Sequence, residues 1–207
     1  MRTAGLIVAA GRGHRLGGPV PKQYQPLGAR PVLRHAVEAL LAHRAVGPVQ
    51  VVIHPADRAL HDAALAGLAG SRLLPPVAGA DTRNRSVLNG LEALAAHAPD
   101  RVLIHDAVRP FLPVALIDAV LAALDEAPAA LPAVPVVDAL WRAEAGAALA
   151  PVPRDGLWRA QTPQGFRFSD ILAAHRAHPG AATDDAAVAA AAGLAVRIIA
   201  GDEDNFK

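Results

Sequence analysis

Five short strand-like runs recur along this chain, Gly5–Ala9, Val49–Ile53, Arg101–His105, Ala133–Val137 and Val196–Ala200, and most are apolar almost throughout. A strand with one wet face alternates apolar and polar residues, whereas a strand that is apolar on both faces must be covered on both. Segments of helical periodicity lie between these runs, so the pattern predicts a three-layer, doubly wound, mostly parallel α/β sheet. Pro31 and Pro113 stand at expected first helical positions before Val32–Ala42 and Val114–Leu124, while Ser169 and Thr183 read as N-caps of later helices. In such sheets ligands gather at the carboxyl ends of the strands. The loop after Ala9, Asp106 and Arg109 all fall at such ends. The stretch from Asp138 to Trp158 departs from the pattern, being proline-bounded and mixed in polarity, with Ala-Gly-Ala-Ala at its centre. It reads as a hairpin-like arm or lid on one domain covering residues 1–207.

The most specific local signal is the first strand running into Ala9-Ala-Gly-Arg-Gly-His-Arg15, followed by Pro21-Lys-Gln-Tyr24. Phosphate oxygens need close approach by main-chain N–H groups, and Gly11 and Gly13 leave that approach open. Arg12, Arg15 and Lys22 supply cations beside it. A dinucleotide fingerprint would require a third glycine where Leu16 stands, and a P-loop would require Gly-Lys-Ser/Thr where Pro21-Lys22-Gln23 stands. The loop therefore suits a polyphosphate held in another way. His105-Asp-Ala-Val-Arg-Pro110 leaves the third strand directly. Its acid can bind ribose hydroxyls or help hold Mg²⁺, and Arg109 can hold a phosphate bidentately. Gly79-Ala-Asp-Thr-Arg-Asn-Arg-Ser86 opens a helix, with Asp81 or Thr82 as its cap.

Composition narrows the function classes. With no cysteine there is no disulfide framework, thiolate nucleophile or Cys-type zinc site, and His43, His54, His61 and His97 show no metal-binding spacing. A formal net charge of +1 argues against a nucleic-acid surface, so any anion site is local. No stretch reaches the roughly 20 uninterrupted apolar residues of a membrane span. The strand close to the N-terminus leaves no room for a signal peptide, so the expected location is the cytoplasm.

Taken in order, the motifs resemble those of the 2-C-methyl-D-erythritol 4-phosphate cytidylyltransferases of the non-mevalonate isoprenoid pathway. The matching elements are Ala9-Ala-Gly-Arg-Gly-His-Arg15, Pro21-Lys-Gln-Tyr24, Asp81-x-Arg83-x-x-Ser86, His105-Asp-Ala-x-Arg-Pro110, Gly156-Leu-Trp158 with Thr162-Pro-Gln164, Thr183-Asp184 and Asn205-x-Lys207. The resemblance implies a nucleotide-diphospho-sugar transferase-like fold with a protruding β-arm. It also implies CTP and a sugar-alcohol phosphate as substrates, Mg²⁺ or another divalent cation as cofactor, and a homodimer joined through the arm. By carry-over, Arg15 and Lys22 are catalytic, stabilising charge on the α-phosphate. Ala9, Ala10, Gly11, Gly13, Ala80, Asp81, Ser86 and Asp106 surround the nucleotide. Asp106, Arg109, Thr162 and Thr183 line the acceptor pocket, and Asp106 lies nearest the metal. Arg154, arriving from the partner subunit, and Lys207 position the acceptor phosphate. Arg-Ala-Gln-Thr-Pro-Gln-Gly-Phe and the closing Gly-Asp-Glu-Asp-Asn-Phe-Lys resemble the version fused to the next cyclase of the pathway.

Several positions depart from the family pattern. Asp138-Ala-Leu-Trp141 stands where Asp-Thr-x-Lys is common, and Ala80, Val108 and Asp185 replace glycine, alanine and glutamate. Two other readings stay open at this level. A pentitol-phosphate cytidylyltransferase shares His-Asp-Ala-Val-Arg-Pro-Phe but tends to read Ala-Gly-Gly in its first loop, and a nucleotide-binding regulatory module could keep the fold without turnover.

Overall fold

The computed structural model describes residues 1–12, 20–68, 70, 72–178, 180 and 182–207. The chain opens with β1 (Thr3–Ala9), a short turn Lys22–Tyr24, the paired β2 (Pro26–Leu27) and β3 (Arg30–Pro31), α1 (Val32–Ala42) and β4 (Val46–Ile53). Then follow α2 (Arg58–Ala64), β5 (Val77–Ala78), α3 (Arg83–Ala95), β6 (Arg101–Asp106), α4 (Val114–Glu126) and β7 (Ala129–Pro135). The arm is the antiparallel hairpin β8 (Leu140–Glu144) and β9 (Ala147–Val152), which is not joined to the main sheet. The chain finishes with β10 (Trp158–Ala160), β11 (Gln164–Arg167), α5 (Phe168–Ala177), α6 (Asp185–Ala191) and β12 (Val196–Ala200).

The predicted three layers are present. Alternate residues of the central strands enter different cores, as a two-residue period requires. Ile7, Val51 and Leu103 pack with Leu33, Val37 and Leu40 of α1 and Ile117 and Val120 of α4. Leu6, Val52 and Ile104 pack with Val87 and Leu91 of α3, Ile171 of α5 and Val188 of α6. Gly90 lets α3 lie directly on the sheet, since a Cβ there would meet Leu6 Cδ1 at 2.4 Å.

Four local expectations are corrected. β7 begins at Ala129 rather than Ala133 and stops at Pro135, because Pro132 does not end it: its carbonyl accepts from Gln161 N–H at 2.8 Å while β12 pairs alongside. Helix α5 starts at Phe168 with Arg167 at its N-cap, and Ser169 turns its hydroxyl to Asp170 instead. Asp184, not Thr183, caps α6 by accepting from Ala187 N–H at 2.9 Å, a charged acceptor being the stronger cap. Pro31 and Pro113 occupy the N-cap positions of α1 and α4, one residue earlier than expected.

The sheet runs β10-β7-β11-β6-β1-β4-β5, with β12 also paired to β7. β1, β4, β5 and β6 are mutually parallel and end in register, with Val8 opposite Asp106, Ala9 opposite Ile53, and Ile53 opposite Ala78. From β1 the chain winds first to β4 and β5, then returns to lay β6 on the other side of β1. That reversal opens a crevice beyond the carboxyl ends of β1 and β6. The antiparallel β11 lies between β6 and β7, β10 pairs with β7 alone, and Gln161, Thr162 and Gln164 at the junction of β10 and β11 are all buried.

His105 fastens the end of β6 from below. It is fully buried, with Nε2 3.0 Å from Arg109 O and Nδ1 3.0 Å from Thr162 Oγ1. A carbonyl only accepts, so Nε2 carries the proton and Nδ1 accepts from the Thr162 hydroxyl. Thr162 Oγ1 in turn accepts from Asp106 N–H at 3.0 Å. Burial is the main reason the imidazole is pushed down from 6.5 to about 4. The folded protein therefore favours the neutral ring. The resulting stability is complete above pH 6.5 and is lost as pH falls toward 4, by about 3 kcal/mol at 1.36 kcal/mol per unit. Urea unfolding of the parent and of His105→Gln as a function of pH should show their stability difference narrowing across that window. A constant difference would mean that His105 is not buried neutral.

Candidate active site

The crevice forms a cleft of about 890 Å³. Ala9, Ala10 and Gly11 from the end of β1, Lys22 and Gln23 from the following turn, Ala80 and Asp81 beyond β5, Asp106 at the end of β6 and Lys207 at the chain end all line it. Parallel strands ending in register bring these distant segments together. Gly79 permits the close approach of two of them, since a Cβ there would lie 2.5 Å from Ala10 Cβ.

Each wall has an identifiable local cause. The buried Gln23 donates its amide to Ala9 O at 2.8 Å and Gly11 O at 3.0 Å, which ties the Lys22–Tyr24 turn to the loop leaving β1. Thr82 is the N-cap of α3, its hydroxyl accepting from Arg85 N–H at 3.2 Å, so Asp81 stays exposed in the cleft. Ser86 is buried; its hydroxyl accepts from Ala80 N–H at 2.9 Å and donates to Thr82 O at 2.9 Å, shaping the turn at 80–82.

Asp106 is the electrostatic centre. Lys207 Nζ lies 2.9 Å from Oδ2, Arg109 Nε 3.5 Å from Oδ2, and Arg83 Nη2 3.9 Å from Oδ1. Burial opposes ionisation of this carboxyl, but Lys207 and Arg83 outweigh it and hold the group below its usual value. Each cation is itself held. Arg83 forms a bidentate pair with the fully buried Asp185, at 3.0 and 2.7 Å. Arg109 donates to the carbonyls of Asn205 and Ala160. The tail carrying Lys207 is fastened by Asn205 Nδ2 to Thr162 O at 2.8 Å and by Gln161 Nε2 to Asp202 O at 2.7 Å.

Of the residues singled out by sequence, Ala9, Ala10, Gly11, Lys22, Ala80, Asp81, Ser86, Asp106 and Lys207 line the cleft. Arg109 and Thr162 are buried beneath it, holding Asp106 and the tail rather than facing the opening. Thr183 is exposed and does not line it. Arg154 lies outside the cleft of its own chain, donating to Val137 O at 2.5 Å at the base of the arm. Gly13 and Arg15 fall outside the described residues. Sequence reasoning did not assign roles to Gln23, Arg83, Asp57 or Asp185; for Gln23 and Arg83 the signal was present, since both stand inside motifs quoted above. Arg12 lines the cleft, but its guanidinium is paired with Asp57 and His54 rather than left free.

The cleft offers two carboxylates, the exposed Asp81 and the ion-paired Asp106, among several cations, and among the described residues no cluster of three or more His, Cys, Asp or Glu side chains could hold a metal. Such a donor set fits a divalent ion carried mainly by substrate phosphates, with Asp106 as the protein group nearest to hand. Among the described residues no helix is long and apolar enough to cross a membrane.

Comparison with known proteins agrees with this geometry. The family described as IspD, 2-C-methyl-D-erythritol 4-phosphate cytidylyltransferase, matches residues 3–207. The chain is 56% identical over its whole length to the 2-C-methyl-D-erythritol 4-phosphate cytidylyltransferase of Cereibacter sphaeroides, covering 91% of that protein. It is also 56% identical to the bifunctional enzyme IspD/IspF of Rhodospirillum rubrum, of which it spans 53%. Among solved structures, a crystal structure of 4-diphosphocytidyl-2C-methyl-D-erythritol synthase superposes with a TM-score of 0.84 at 33% identity, covering 100% of this chain and 92% of that one. By sequence over its full length and by fold, the chain belongs to the 2-C-methyl-D-erythritol 4-phosphate cytidylyltransferase (IspD) family, cytidylyltransferases of isoprenoid biosynthesis.

Proposed function

We propose that the cleft binds CTP and 2-C-methyl-D-erythritol 4-phosphate together and transfers the cytidylyl group between them. An oxygen of the acceptor phosphate attacks the α-phosphorus of CTP, the bond to the β-phosphate breaks, and pyrophosphate leaves with the bonding electrons. The acceptor is already an anion and needs no strong general base. The obstacle is bringing two anions together, which preorganised cations address. Base and ribose lie against Ala9, Ala10, Gly11, Ala80, Asp81 and Ser86, Lys22 contacts the α-phosphate, and Lys207 contacts the acceptor phosphate beside Asp106. A divalent cation held by the nucleotide's phosphates and Asp106 would neutralise phosphate charge.

The observation that carries this reading is the convergence of Lys22, Lys207, Asp106 and the segment Ala9–Gly11 on one cleft. Its volume of about 890 Å³ falls within the usual range for small-molecule sites. Lys22 makes no ion pair among the described residues, whereas Lys207 is already paired with Asp106. A cation with no ion-pair partner among the described residues is suited to a charge that develops during reaction. Lys22→Ala should therefore lower kcat by roughly 10²–10³ with a much smaller change in KM for CTP. Pyrophosphate release with methylerythritol phosphate, set beside ribitol phosphate, measures this, and excess chelator in the same assay should abolish turnover. Near-parental kcat in the variant would remove Lys22 from the chemical step, and full activity in chelator would remove the cation requirement.

The arm supports a two-fold dimer. An isolated two-stranded hairpin is marginal in water, yet Val137, Trp141 and Leu149 at and beside β8 and β9 are 62%, 59% and 55% exposed. Packing against a second copy would cover them and carry Arg154 toward the neighbour's acceptor site. Mixing Arg154→Ala with Lys22→Ala under subunit exchange should restore one intact site per heterodimer. A mixture no more active than either variant, or a fully active monomer in sedimentation, rules that arrangement out.

A further inference from the structure

The chain leaving β1 is held from two sides. Gln23 takes the carbonyls of Ala9 and Gly11. On the other side Arg12 Nη1 donates to Asp57 Oδ1 at 3.0 Å, and Nη2 lies 3.0 Å from His54 Nδ1. That nitrogen also accepts from Ala56 N–H at 3.1 Å, so it is unprotonated and accepts from Arg12 as well. Asp57 is 1% exposed, and Arg12 is its ion-pair partner among the described residues. Among the described residues its other oxygen is buried without a hydrogen bond. A carboxylate out of water is strongly disfavoured without its cation, so the guanidinium is committed to Asp57. Asp57 also faces the turn that carries Lys22: burial first, and the Asp57 charge second, push the Tyr24 phenol up and keep it neutral.

We infer that Arg12 is a positioning residue, locked to Asp57 and His54, that fixes the exit of β1 against the segment following β4 and thereby sets the main chain of residues 9–12 for the nucleotide. It is not a phosphate ligand, although it stands in the glycine-punctuated loop. The effect on turnover rests on the function proposed above, whereas the anchoring itself does not.

The test is a double-mutant cycle of Arg12→Gln, Asp57→Asn and the pair, read by CTP-dependent pyrophosphate release, thermal unfolding and amide exchange in the ligand-free protein. Asp57→Asn is nearly isosteric, retains the guanidinium and frees it. If Arg12 anchors the loop, all three variants raise KM for CTP by about tenfold, the pair no more than the singles, with kcat within about threefold of the parent. The double variant should melt above Arg12→Gln, because it no longer buries an unpaired carboxylate. CTP affinity should not recover with it, a separation that a purely structural role would not give. An Asp57→Asn protein that binds CTP as well as the parent or better would show that the freed arginine meets phosphate, and losses that multiply in the double variant would show independent roles. Either result overturns the inference. Should the parent fail to release pyrophosphate from CTP, the proposed function fails. Exchange then decides the anchor alone: faster exchange at residues 10–12 in both single variants supports it, and unchanged exchange contradicts it.

Discussion

The carboxylate of Asp106 is the interaction on which the site's geometry depends. It sits at the end of a central strand with only 14% of its side chain exposed, yet it stays charged because three cations from three different segments converge on it. A buried anion with so little solvent must be paired, and the requirement runs both ways. Arg83, Arg109 and Lys207 come from α3, from the loop after β6 and from the chain end, and without Asp106 each would repel the other two. Pairing lets a cleft be strongly cationic while remaining a stable part of the fold.

The cations can converge because a second set of contacts lies beneath them. Asp185 holds Arg83, the carbonyls of Asn205 and Ala160 hold Arg109, and Gln161 and Thr162 hold the tail that returns Lys207. His105 links these to the strand through Thr162 and the Asp106 amide. The irregular backbone between β10 and β11 is thus the fixed post for both Asp106 and the tail. Its polar side chains are buried and satisfied, which makes this part of the site stiff.

Much of the scaffold was legible because local pattern and burial agree there. Val32–Ala42 and Val196–Ala200 read correctly from periodicity and apolar runs alone, and Thr82 was one of the two candidate caps of its helix. Position on the strand ends also brought out Asp106 and the residues after Ala9. The helix starts differ for local reasons, Ser169 turning to Asp170 and Asp184 taking the cap from Thr183, whereas elsewhere a distant partner decides what the local pattern leaves open. β7 reaches back to Ala129 because Pro132 O accepts from Gln161 N–H and β12 pairs alongside, and Gln164, polar in a central strand, is buried because Asp184 and Ala186 N–H satisfy it from α6. Arg12, a cation beside the glycine-punctuated loop in the sequence, is paired with Asp57, which lies beyond the next strand of the sheet. Thr162 and Arg109, found by motif, are buried beneath the cleft, where they hold Asp106 and the tail. A motif shows that a residue matters at a site without showing whether it faces the ligand or holds one that does.

Coupling between Asp106 and Lys207 tests this account most directly. Kinetics of Asp106→Asn, Lys207→Gln and the double variant, measured as kcat/KM for both substrates, would quantify it. If the carboxylate exists to place the cations, removing Lys207 from a site already lacking Asp106 adds little. The double variant should be no slower than the slower single one, a coupling on the order of 2 kcal/mol. Rate losses that multiply in the double variant would contradict the claim that Asp106 organises the site.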